Sequence, residues 1–154
     1  MGNAVKTLEF EYWTDPLCIW AYVAQPKLDH VLTRWKRCVG VRYHVVPVFG
    51  SIPWRFREGP WVKEGPEGRA AATQRIAQEH GMTDVGGECW LRDCPASSWP
   101  AGAALEAVFA MAQEGEIPEG AAAAYQLAMR RRFFVAGQNV TRRQVQLVLA
   151  DVRQ

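Results

Sequence analysis

Residues 10–22 read Phe10-Glu11-Tyr12-Trp13-Thr14-Asp15-Pro16-Leu17-Cys18-Ile19-Trp20-Ala21-Tyr22. Over residues 5–13 apolar and charged positions alternate. Leu8, Phe10 and Tyr12 fall on one side and Glu9 and Glu11 on the other, the period of a half-buried strand. Thr14, Asp15 and Pro16 end it. Asp15 suits a helix N-cap and Pro16 the first helical position, where the missing proline N–H would be unpaired anyway. The helix is expected to run to about Arg37. It carries Leu28, Val31, Leu32 and Trp35 at helical spacing, a kink at Pro26, and Gly40 as its stop. Residues 41–49, rich in β-branched and aromatic side chains, read as a second strand. Strand, helix and strand over so short a span make a βαβ unit with parallel strands and a right-handed crossover.

Cys18 stands where the first strand gives way to the helix. Helix N-termini carry partial positive charge and unpaired N–H groups, so a thiolate there is stabilised. An ordinary cysteine with a pKa of about 8.5 is only slightly ionised at neutral pH, whereas a pKa of about 7 leaves it half thiolate. The position predicts a reactive thiol with a lowered pKa, flanked by Trp13 and Trp20. Position alone also allows a small buried residue without chemistry.

The rest of the chain reads as loop and helix. Residues 50–68 are rich in Gly and Pro around Trp54, Phe56 and Trp61 and are expected to form one long loop. A helix over residues 69–80 follows, stopped by Gly81, and Trp90 and Leu91 begin a short turn. Ser98 is read as the cap of a helix with Ala101, Ala104, Leu105, Val108, Phe109 and Ala112 on one stripe, ended by Gly115. Pro118 precedes another, carrying Tyr125, Ala128, Met129 and Phe133 and ended by Gly137. Thr141 with Gln144 has the spacing of a capping box before a last helix bearing Val145, Val148, Leu149 and Val152.

Composition narrows the function. The 154 residues are 49% hydrophobic and 22% charged, with a net charge of +2. That supports a folded core and gives no basic field for nucleic acid. No apolar run approaches the roughly 20 residues of a membrane helix, and the first residues lack the pattern of a signal peptide. A cytoplasmic setting with mostly free thiols is the expectation for Cys18, Cys38, Cys89 and Cys94. His30, His44 and His80 are scattered, and no cysteine or histidine pair completes a zinc set, so no metal is expected. Arg130, Arg131 and Arg132 are read as favourable charge at a helix C-terminus, the alternative being an anion site, and His44 as structural, the alternative being a base. Trp54 and Trp61 either line a groove beside Cys18 or anchor the long loop. Cys38, Cys89 and Cys94 are read as inert thiols, the alternative being a resolving role.

The stretch at residues 10–22 resembles the active-site segment of DsbA-like thioredoxin-fold proteins, closest to the branch of FrnE and 2-hydroxychromene-2-carboxylate isomerase. Asp15, Pro16, Cys18, Trp20 and Tyr22 match its Asp-Pro-x-Cys-Pro-Trp-Cys-Tyr type of motif, and Pro26 falls where thioredoxin-like proteins often kink this helix. Residues 95–101 through Phe133, Phe134 and Thr141 are similar to the family's inserted helical domain. The resemblance implies an α/β, thioredoxin-like fold: residues 1–50 the N-terminal βαβ half, 51–68 a loop, and 69–154 a helical insertion. It also implies two departures. Ala21 stands where the second cysteine belongs, so Cys18 would attack a disulfide but need an outside thiol to resolve the product. The C-terminal strands with their cis-proline loop have no counterpart here. The chain is therefore expected to be a fragment or to self-associate, most simply as a two-fold homodimer.

The resemblance implies a monothiol thiol–disulfide oxidoreductase with Cys18 as nucleophile. Trp13, Asp15, Pro16, Trp20, Tyr22 and Trp54 would contact the substrate. No cofactor is held permanently, glutathione is a candidate co-substrate, and the partners are small thiols or protein disulfides. Two rivals stand beside it: a glutathione-dependent isomerase or transferase of the kappa type, in which relatives tend to place Ser at position 18, and a redox-inactive binding module.

Overall fold

The structure is a computed structural model and describes residues 8–118 and 120–151. The elements in chain order are β1 (Leu8–Thr14), α1 (Ile19–Arg34), β2 (Val39–Val45), α2 (Ile52–Arg57), α3 (Gly65–Glu79), a 3₁₀ turn (Glu88–Trp90), α4 (Trp99–Gln113), α5 (Ala121–Phe134) and α6 (Arg143–Ala150). β1 and β2 pair in parallel, with Tyr12 opposite Tyr43 and Trp13 opposite His44. This is the βαβ unit that the alternation and the intervening helix predict. Residues 5–7 of the expected first strand, and Val152 of the last helix, lie outside the described residues.

The register sorts the side chains. Phe10, Tyr12 and Thr14 share one face with Val41, Tyr43 and Val45; Glu9, Glu11 and Trp13 share the other with Gly40, Arg42 and His44. The first face packs inward: Tyr43 stacks on Phe109 of α4 with ring centroids 4.6 Å apart. The second is open, and Trp13 is 60% exposed on it. One core joins Leu17, Ile19 and Ile52 to Trp90, Leu105, Met129, Phe133 and Phe134. Trp90 is buried with its indole N–H donated to Thr73 Oγ1 at 2.9 Å, which satisfies its one polar atom. Gly87 makes this placement possible: its φ is +75°, and a Cβ there would lie 2.7 Å from the Ala70 carbonyl oxygen.

Several boundaries differ from expectation, each for a local reason. α1 ends at Arg34 rather than Arg37, because the Cys38 and Val39 N–H groups fold back onto the Trp35 carbonyl. That turn needs no glycine, and Gly40 belongs to β2. β2 stops at Val45, and Pro47 soon after has no N–H to continue a ladder. The expected loop at residues 50–68 contains α2, where Ser51 Oγ accepts from the Trp54 N–H and Pro53 sits in the first turn; α3 then begins at Gly65. Ser98 stands at the N-cap of α4 as expected, but its backbone is already helical, with φ −81° and ψ −8°, and its side chain makes no cap bond; the hydroxyl donates to Asp15 instead. The Thr141–Gln144 box does not form: the Thr141 N–H and hydroxyl both donate to Asn139 Oδ1, and α6 starts at Arg143. α1 passes through Pro26 as one helix.

Candidate functional site

The turn before Cys18 is built by Asp15. One carboxylate oxygen accepts the Leu17 N–H at 2.7 Å, and the Cys18 N–H donates to the Asp15 carbonyl at 3.1 Å. Residues 15–18 thus form a tight turn, and Cys18 rather than Asp15 becomes the N-cap of α1, with φ −85° and ψ 116°. The expected capping role of Asp15 is corrected for this reason: a side chain closing its own turn cannot also reach a helix that starts at Ile19.

The other Asp15 oxygen accepts the Ser98 hydroxyl at 2.6 Å and the Phe49 N–H at 3.4 Å. A single carboxylate, 1% exposed, therefore joins the Cys18 turn, the segment after β2 and the start of α4. Burial raises its pKa above the ordinary carboxylate range, and the bonds from Ser98, Leu17 and Phe49 only partly offset this.

Cys18 is half-buried at the N-terminus of α1, with the Tyr22 N–H on its carbonyl at 3.1 Å. Trp20 and Trp13 are exposed on either side of it in sequence. Trp20 meets the His80 ring edge-on at 5.7 Å, and Trp13 stacks on His44 at 4.2 Å, with Glu11 3.8 Å from His44 Nε2. Trp54 is exposed on α2, whereas Trp61 is buried against Phe49 and Trp90, the anchoring role. Asp15, Pro16 and Tyr22 are buried. They hold the site and present no surface to a ligand; Tyr22 stacks on Phe134 and fastens α1 to α5.

The other thiols differ among themselves. Burial pushes Cys89 up to about 12 and Cys94 up to about 11, while Cys38 is exposed beyond the end of α1. None of the four is disulfide-bonded.

Arg130 departs from its expected place at a solvated helix end. It is 0% exposed, donates to Thr14 Oγ1 at 2.6 Å, and donates to Gln25 Oε1, whose amide in turn donates to Asp29 at 2.7 Å. Burial lowers its pKa, with Tyr12 and Cys18 acting the other way. A signal was present in the sequence: Ala122, Gln126, Met129, Arg130 and Phe133 share one helical face, and all are buried. Arg55 and Arg69 pack on aromatic rings. The Arg55 guanidinium lies 5.1 Å from the centroids of Phe49 and Trp61, and Arg69 lies 4.7 Å from Trp61.

No known family profile matches the sequence, and no curated protein is similar to it at a significant level. Solved structures are. The cytosolic disulfide reductase DsbM from Pseudomonas aeruginosa superposes with a TM-score of 0.65 at 27% identity, over 93% of this chain and 62% of that one. The same reductase solved with GSH gives the same score and identity, over 63% of its length. A Nitrosomonas europaea protein assigned as a protein disulfide isomerase gives 0.67 at 16% identity, over 94% of this chain and 64% of that one, which bears on fold alone. The fold is thus of the DsbA-like thioredoxin type, as residues 10–22 led one to expect. The chain spans just under two thirds of the length of these neighbours.

Proposed function

We propose that the chain carries out thiol–disulfide exchange with Cys18 as its only reacting thiol. The observation that carries this reading is the placement of Cys18. The half-buried Cys18, its thiol free of any disulfide, occupies the N-cap position of a 16-residue helix on a turn fixed by a buried carboxylate. The printed activity of the DsbM neighbour, a disulfide reductase, supports the same chemistry.

The Cys18 thiolate attacks one sulfur of a disulfide RSSR′. A bond forms between Sγ and that sulfur, the S–S bond breaks, and R′S⁻ leaves and takes a proton from water. Ala21 offers no second thiol one turn along α1, so a second thiolate, for which glutathione is the candidate, attacks the mixed disulfide. It forms RSSG and returns the Cys18 thiolate, so the net change is exchange without an external oxidant. The solved neighbour with GSH supports this choice of co-substrate, and its cytosolic description supports a reducing compartment. No helix among the described residues is long and apolar enough to cross a membrane. β1 pairs only with β2 among the described residues, and strand addition at its other edge is the contact by which a homodimer would form.

Incubation with glutathione disulfide followed by peptide mass mapping tests the reading. A mixed disulfide at Cys18 that free glutathione then removes is expected, and Ala21→Cys should make release independent of added thiol. Glutathione conjugation or isomerisation that survives Cys18→Ala would favour the transferase-type rival.

A further inference from the structure

Two arginines packed next to the segment that follows β2 form no ion pair among the described residues. Phe49 is tied to that turn through its N–H on Asp15, and Arg55 lies over the Phe49 ring, with its guanidinium also donating to the Val48 carbonyl at 2.6 Å. Arg55 and Arg69 share Trp61, at 5.1 Å and 4.7 Å from its centroid. Two like charges on one ring repel, and a carboxylate between them would relieve the repulsion. Among the described residues neither arginine has a carboxylate within 4.0 Å; the ion pairs formed involve Arg42, His44, Arg75, Arg92 and Arg142 instead. Arg69 Nε is buried and has no hydrogen-bond partner. Burial lowers the Arg69 pKa, Glu64 and the Cys18 sulfur raise it, and Arg55 lowers it again. Arg69 thus shares Trp61 with Arg55, whose other ring partner, Phe49, is tied to the Cys18 turn through Asp15.

We propose that Arg55 and Arg69 select carboxylate-bearing thiols and disulfides for Cys18, receiving a carboxylate of the incoming molecule on their guanidinium groups. This rests on the exchange reading above and names the substrate class of the same site. Guanidinium groups suit the task because they bind carboxylates in bidentate fashion and stay charged. Both side chains are only partly buried, so an incoming anion can reach them.

The test compares two disulfides of opposite character. The rate of mixed-disulfide formation at Cys18 is measured with anionic glutathione disulfide and with neutral bis(2-hydroxyethyl) disulfide, at low and high salt. In the unaltered protein the rate with glutathione disulfide should fall as salt rises, while the neutral disulfide stays level. Arg69→Met and Arg55→Met should each slow glutathione disulfide about tenfold and change the neutral disulfide less than about twofold. Arg69→Lys should recover part of the loss. Equal slowing on both disulfides, slowing on neither, or a salt response identical for both in the unaltered protein would overturn the inference. Failure of Cys18 in the unaltered protein to react with either disulfide would overturn the exchange reading itself, so the two failures are separable.

Discussion

Two tryptophans divide the molecule. Trp90, in the helical half, is 1% exposed and has its indole N–H satisfied by Thr73; Trp13, on the sheet, is 60% exposed and touches His44. The contrast extends to their surroundings. α3, α4, α5 and the 3₁₀ turn bury one another's apolar stripes, while the two-stranded sheet covers one face and leaves the other to Glu9, Glu11, Arg42 and Trp13. Stability is therefore concentrated in the helices, and Cys18 sits at the seam where the thinner half is fastened to the thicker one.

That contrast is broken most forcefully at Trp90. Trp90→Ala should cost about 3–5 kcal/mol, by loss of burial and a residual cavity, and should unfold both halves together in a denaturant titration. Trp13→Ala should cost about 1 kcal/mol, the worth of one exposed stack. Similar costs for the two would mean that the outer sheet face is covered in solution.

Next in size is the fastening. Asp15→Ala leaves the Leu17 and Phe49 N–H groups unpaired in a buried place and should cost about 1–3 kcal/mol. Ser98→Ala removes one donor and should cost less, with Ser98→Thr restoring it. Both Asp15→Ala and Ser98→Ala should slow Cys18 alkylation more than Cys38 alkylation, because only the first thiol sits on the Asp15 turn.

A smaller effect separates the halves by pH. Asp15 has a raised pKa in the folded state, so the folded chain holds its proton more tightly than the unfolded one. Its contribution is largest at low pH and is lost as pH rises from the ordinary carboxylate value through the folded one. Asp93 is held below its ordinary value by the Arg142 hydrogen bond, so its contribution is present above the unfolded pKa and fades as pH falls. Melting curves between about pH 3 and pH 7 should therefore shift oppositely for Asp15→Asn and Asp93→Asn. Shifts of the same sign would contradict the two environments.

The βαβ unit was legible because its signals are local: alternation in the first strand, helical spacing after Pro16, and β-branched residues before Phe49. The glycine stops at Gly81, Gly115 and Gly137 were legible for the same reason, and all three take positive φ. What the sequence hid is what depends on distant partners. Asp15 reads as a helix cap until Ser98 and Phe49, far away in the chain, are brought to it. Arg130 reads as surface charge until Thr14 and Gln25 surround it. α2 was masked by the Gly and Pro around it, although Ser51 followed by Pro53 is a local start signal. Cys18 was legible as a thiol at a helix start, but Arg55 and Arg69 carried no mark of sharing the Trp61 ring.

The most direct measurement is the rate at which each of the four cysteines forms a mixed disulfide with glutathione disulfide at neutral pH, read by mass spectrometry of peptides from the folded protein. The account predicts that Cys18 reacts first, that Cys89 and Cys94 stay unmodified because burial keeps them protonated, and that Cys18→Ser removes the fast phase. Modification led by Cys38, with Cys18 untouched in the folded chain, would contradict it.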